Sequence, residues 1–121
     1  MTDIQRFKGN ERMSSMVRYG HTLYVKGVTP SEAAGDDLAD QTRDVLAQIE
    51  QLLQQGGSSV EQLLKVNIWV RDITEVEKMN EVYRQWVKPD HLPVRACVEA
   101  KMAKPGYRVE IQVEAACQAR Q

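Results

Sequence analysis

The amino-acid sequence predicts an α+β fold in which a mixed sheet carries two helices on one face. Three observations lead there. Several segments alternate apolar and polar residues with the period of a strand, and two others carry apolar residues at helical spacing. Their order is strands, helix, strand, helix, strand, strand, which a sheet under a single helical layer accommodates directly.

The chain has 121 residues without an internal repeat or linker-like tract, so it is read as one domain over 1–121. A chain of this size buries roughly two thirds of the surface its unfolded form exposes. A short strand is expected at Ile4 to Phe7. "SMVRYGHTLYVKGV" then makes two extended runs around a turn at Gly20 and His21, of which Thr22 to Gly27 is the clearer strand.

"GDDLADQTRDVLAQIEQLLQQGG" is the first helix. Leu38, Thr42, Val45, Leu46, Ile49, Leu52 and Leu53 form one stripe, acids crowd the first turn, and Gly56 and Gly57 close the end. "SSVE" at 58–61 fits a capping box for a short turn. The strand "LLKVNIWVR" follows, with Leu64, Val66, Ile68 and Val70 expected in the core and Lys65, Asn67, Trp69 and Arg71 opposite. The second helix starts from a Thr74 to Glu77 capping box and ends before Pro89, its stripe being Ile73, Val76, Met79, Tyr83, Trp86 and Val87. Asn80 lies on that stripe, where a buried amide needs partners: it either pins a loop or faces a site.

The last two strands are "PVRACVEAKM" and "YRVEIQVEAA". In the first, Val94, Ala96, Val98 and Ala100 read as core, with Arg95, Cys97 and Glu99 on the other side. In the second, Val109, Ile111, Val113 and Ala115 read as core, with Arg108, Glu110, Gln112 and Glu114 opposite.

Composition excludes several classes of function. The 16 basic and 17 acidic residues nearly cancel and no basic stripe forms, against binding driven by nucleic-acid phosphates. The N-terminus lacks a secretory pattern and no apolar run could span a bilayer, so a cytoplasmic protein without membrane association is expected. Cys97 and Cys117 lack metal-ligand spacing, and His21 and His91 stand far apart, so neither a disulfide nor a metal site is expected.

Two helices cover only one face of such a sheet. The other is expected to collect Tyr24, Lys26, Asn67, Trp69, Arg95, Cys97, Glu99, Glu110 and Gln112, a set suited to contact with another subunit of a symmetric homo-oligomer. There the planar fork of Arg95 fits a carboxylate in two-point contact. That carboxylate is either Glu110 or Glu99 of the protein, or a ligand's; periodicity alone favours the protein ion pair.

"HLPVRACVEAKMAKPGYRVEIQVEAAC" resembles the C-terminal signature of the Rid (reactive intermediate deaminase A, YjgF) family, with Pro-x-Arg-x-Cys-Val, a turn, and Val-Glu-Ile. "MNEVYRQWV" is similar to that family's Asn-x-x-Tyr helix, "YGHTLYVKGV" to its glycine-bounded strand, and "GDDLADQTRDVLAQIEQLL" to its glutamine-containing first helix. The resemblance implies a chorismate-mutase-like fold and a homotrimer whose sheets form a central barrel, with clefts between subunits. It also implies that the last strand lies inside the sheet, where a simple reading would pair it with its predecessor as a hairpin.

By the same resemblance, the activity is hydrolysis of reactive enamines and imines of the 2-aminoacrylate type to 2-keto acids and ammonia, without a cofactor or metal. Arg95 would clamp the carboxylate of a small substrate and Glu110 would orient or activate water. Cys97 would line the cleft as a wall residue, Gly27 and Val28 would supply backbone donors, and Asn80 would border the site. Three positions depart from the family, Lys26 and Val28 standing where Ser-Gly-Gln is usual and Met13 where an aromatic is expected; in the family these positions shape the substrate pocket and its polar contacts. These departures leave room for a divergent branch with weak or different activity, and the alternative is a non-catalytic trimer that binds small carboxylates as a sensor or regulator. The ribonuclease label carried by some relatives finds no basic stripe or histidine pair to support it.

Overall fold

A computed structural model describes residues 3–118; the first two and last three positions of the domain expected over 1–121 lie outside it. The strands are β1 (Ile4–Phe7), β2 (Met16–Tyr19), β3 (Thr22–Val25), β4 (Leu63–Val70), β5 (Val94–Glu99) and β6 (Val109–Ala116), and the helices are α1 (Leu38–Gln55) and α2 (Val76–Trp86). They build one sheet in the order β1-β2-β3-β6-β4-β5. Only β4 and β5 run parallel, and α2 supplies the crossover that parallel neighbours require. The last strand enters between β3 and β4, antiparallel to both, as the resemblance implies and the hairpin reading does not.

The core lies between one sheet face and the helices. Val66, Ile68 and Val70 of β4 and Val109, Ile111, Val113 and Ala115 of β6 are buried with Leu38, Val45, Leu46, Ile49 and Leu53 of α1 and Met79, Val82 and Tyr83 of α2. No helix among the described residues is long and apolar enough to cross a membrane.

Helix α1 behaves as its sequence dictates. Asp37 caps its start by accepting from the Asp40 N–H. At its end the Gly57 N–H donates to the Gln54 carbonyl and the Ser58 N–H to the Leu53 carbonyl, a closure that requires the left-handed φ of +79° at Gly57. Gln41, outside the expected stripe, is 2% exposed. Its amide donates to the carbonyls of Gly35 and Gly106 and its oxygen accepts from the Arg108 N–H, so one side chain ties two loops to the helix.

Three local expectations are corrected. Leu64 is exposed: an irregularity between Leu63 and Lys65 puts Leu63 in the core opposite Ala115 and leaves both Leu64 and Lys65 outside. The Ser58 hydroxyl donates to the Ala116 carbonyl, anchoring the end of β6 and leaving the turn at Val60–Gln62 without a side-chain cap. Asp72, a stronger cap than Thr74, accepts from both the N–H and the hydroxyl of Thr74 and starts a 3₁₀ turn with Ile73 exposed; Glu77 is thereby left free for another partner.

Candidate functional site

Residues opposite each other on paired strands share a face of the sheet. In the β4–β5 register Arg95, Cys97 and Glu99 lie opposite Val66, Ile68 and Val70, on the face the helices cover. Val94, Ala96 and Val98 lie opposite Lys65, Asn67 and Trp69, on the open face, where Val94 is 69% and Val98 51% exposed. The expected orientation of β5 is therefore reversed. The cause is its position at the sheet edge: the helical layer ends over it, so its inward row meets the flank of α2 and tolerates polar groups. The open face otherwise gathers the expected set, since Tyr24 opposes Glu114, Trp69 opposes Glu110 and Asn67 opposes Gln112. Lys26 follows the end of β3, its N–H donating to the Ser15 carbonyl.

Arg95 is held by α2. Its Nη1 donates to Asn80 Oδ1 at 2.9 Å, and its Cζ lies 4.9 Å from the centre of the Tyr83 ring. None of the ion pairs among the described residues includes it. The structural ion pair favoured by periodicity is thus absent from the protomer: Glu99 accepts from the Ile73 N–H instead, and Glu110 lies on the opposite face. A guanidinium with two neutral partners keeps its charge and most of its five donors for something else. Asn80 is half-buried, and its Nδ2 donates to Glu77 Oε1 at 3.1 Å.

Cys97 is half-buried beside Arg95 and packs against the core. Burial pushes its thiol above the ordinary range, against the opposing pull of the Arg95 charge, which suits a wall and not a thiolate nucleophile. Burial likewise raises the Tyr83 hydroxyl, again opposed by Arg95.

A second group forms around β6. The Glu110 carboxylate lies against the Cα of Gly27, so closely that any side chain there would collide with it. The Gly27 N–H has no backbone partner among the described residues, as a ligand donor requires. Val28 does not share that freedom. Its side chain is 1% exposed and its N–H and carbonyl exchange hydrogen bonds with Ile111 at 2.8 and 3.1 Å, so its expected donor role is corrected: a β-type bridge has consumed the donor. Met13 lies in the exposed loop between β1 and β2, where its N–H and carbonyl both bond to Asn10.

The structure thus assembles Arg95, Asn80 and Cys97 at one place and Gly27 with Glu110 at another, on opposite faces of the sheet. Tyr83 and Glu77 belong to the first group, although helical spacing places one in the core and the capping-box pattern assigns the other to the helix start. Their signal was present: Glu77, Asn80 and Tyr83 recur every three residues, one row along a helix. A cleft of about 410 Å³ lies elsewhere, between Ser31 and Gln41 on one side and Lys104 and Tyr107 on the other. Among the described residues no three His, Cys, Asp or Glu side chains gather to hold a metal ion.

Residues 3–117 match a family model described as Endoribonuclease L-PSP. The RutC family protein YoaB of Escherichia coli is 36% identical over 113 residues, covering 93% of this chain and 97% of that protein. Among solved structures, NMB1025 of Neisseria meningitidis, a member of the YjgF family, superposes with a TM-score of 0.92 at 37% identity and 98% coverage of both chains. Rv2704 of Mycobacterium tuberculosis, from the YjgF/YER057c/UK114 family, does so with a TM-score of 0.84 at 34% identity, covering 94% of this chain and 99% of that one. A match over nearly the whole chain, in sequence and in backbone, makes this protein a member of the YjgF/Rid/RutC family.

Proposed function

We propose that the protein hydrolyses small carboxylate-bearing enamines and imines to 2-keto acids and ammonia, in a cleft between subunits of a homotrimer. The observation that carries this reading is the state of Arg95: preset by Asn80 and Tyr83, and unpaired with any carboxylate among the described residues. A substrate carboxylate supplies the missing partner in two-point contact.

The remaining chemistry asks little of the protein. An enamine protonated at carbon becomes an electrophilic iminium. Glu110 orients a water and takes its proton as the water oxygen bonds to the iminium carbon; Glu110 then returns that proton to the nitrogen of the carbinolamine, the C–N bond breaks with its electron pair leaving on ammonia, and the hydroxyl gives its proton to solvent as the keto group forms. Arg95 and Glu110 occupy opposite faces of one sheet, so a single site that uses both takes them from two copies of the chain. The exposed row of Val94 and Val98 on the open face is the apolar surface such an assembly would bury.

The test generates imines from several amino acids with an amino-acid oxidase or a dehydratase and follows their loss with and without the protein. Acceleration by the parent and a loss of about a hundredfold or more in Arg95→Ala are expected, positioning being worth that much when a substrate anchor is removed. An Arg95→Ala protein as fast as the parent would remove the proposal. Binding of a small carboxylate without turnover would instead assign the site to a sensor or regulatory trimer.

A further inference from the structure

The hydrogen bonds around Arg95 run in a defined direction. Glu77 Oε1 accepts from Asn80 Nδ2 at 3.1 Å, which turns Asn80 Oδ1 toward Arg95, where it accepts from Nη1 at 2.9 Å. An amide rotated by half a turn would present its NH₂ to the guanidinium, donor against donor, and would push the fork out of place. Glu77 accepts only, so it forbids that rotation. All three groups are exposed or half-buried, and the centre of the Tyr83 ring lies 4.9 Å from the guanidinium carbon.

We infer that Glu77 is a positioning residue for the anion clamp: acting through Asn80, it fixes the orientation of Arg95 that receives a ligand carboxylate. This rests on the reading of Arg95 as that clamp. It carries an unusual sign. Through space, a carboxylate near Arg95 weakens the attraction for an anion, so removing the charge at position 77 should tighten anion binding. Through the amide, removing the acceptor should loosen it. The two mechanisms predict opposite outcomes for the same substitution.

The experiment titrates pyruvate, a 2-keto acid, into the full chain by calorimetry for the parent and for Glu77→Gln, Glu77→Leu and Glu77→Lys. Glutamine keeps an acceptor for Asn80 and is expected to bind within twofold of the parent. Leucine offers no acceptor and lysine only donors, and both are expected to bind about tenfold more weakly, the scale of one hydrogen bond to a charged group. The melting temperature should stay near the parent's in all three, since position 77 is exposed. With an imine substrate, kcat/KM should fall by about the same factor in the leucine variant and be restored in the glutamine variant, since both report the orientation of the carboxylate anchor.

Tighter binding in the lysine variant, or equal binding in all four proteins, would overturn the relay and leave Arg95 as the clamp. Failure of the parent to bind pyruvate and every other small carboxylate offered would overturn both.

Discussion

At the scale of single residues, two positions without a formal charge organise the molecule. Gln41 makes three hydrogen bonds from a buried site, to Gly35, Gly106 and Arg108. Replacing it by alanine removes all three hydrogen bonds at once and, at about 1 kcal/mol each, should cost about 3 kcal/mol of stability, read as a lower urea midpoint at unchanged slope. Gly27 is the other. A methyl group there would displace the Glu110 carboxylate that lies against it, so Gly27→Ala should slow imine hydrolysis about tenfold to a hundredfold, the range of general-base effects, with the circular dichroism unchanged. Neither role was legible in the sequence. Gln41 sits beside a stripe that already explained the helix, and the contact of Gly27 spans more than eighty positions of chain.

At the scale of elements, α1 is tied to the loop before it through Asp44, which accepts from the N–H and the hydroxyl of Ser31 and from Gln48. Partial burial raises the carboxyl, but those three hydrogen bonds outweigh it and hold it below its ordinary value of 3.8. The depressed group favours the fold wherever it is ionised, above that value, and the contribution fades as pH falls through the folded-state value. An Asp44→Asn variant should therefore be less stable than the parent at neutral pH, and the gap should close on acidification below about pH 4; a gap that stays constant from pH 7 to 3 would show that charge plays no part.

The elements also show where sequence patterns succeed and fail. The stripe of α1 and the alternation of β6 were legible, because each is flanked by neighbours and has one dry side. β5 was not. At the edge of a sheet both rows of a strand are only partly covered, so apolar content no longer reports which side faces inward, and a strand read one residue out of phase reverses every side chain.

At the scale of the whole molecule, the reversal of β5 separates Arg95 from Glu110 and makes assembly a condition of the proposed reaction. Mixed assemblies of the proposed trimer test this directly. Arg95→Ala and Glu110→Ala proteins, each inactive alone, should regain about one quarter of parental activity when unfolded and refolded together in equal amounts, because in a threefold ring with one site per interface a quarter of the randomly formed interfaces pair an intact arginine with an intact glutamate. No recovery, with mixed trimers present by mass spectrometry, would mean that one chain supplies both groups.

The sequence by itself determined the class of fold, both helices, the core rows of β4 beyond Leu64 and of β6, and, through resemblance, the family and the place of the last strand. Those properties follow from local periodicity and from motifs that are contiguous in the chain. Only the tertiary structure decided what Arg95 faces, that Val28 spends its donor within the fold, and that Glu77 stands behind Asn80. These depend on strand register, a sheet edge and the direction of an amide. Such relations exist only between segments, and a pattern along one segment carries no record of them.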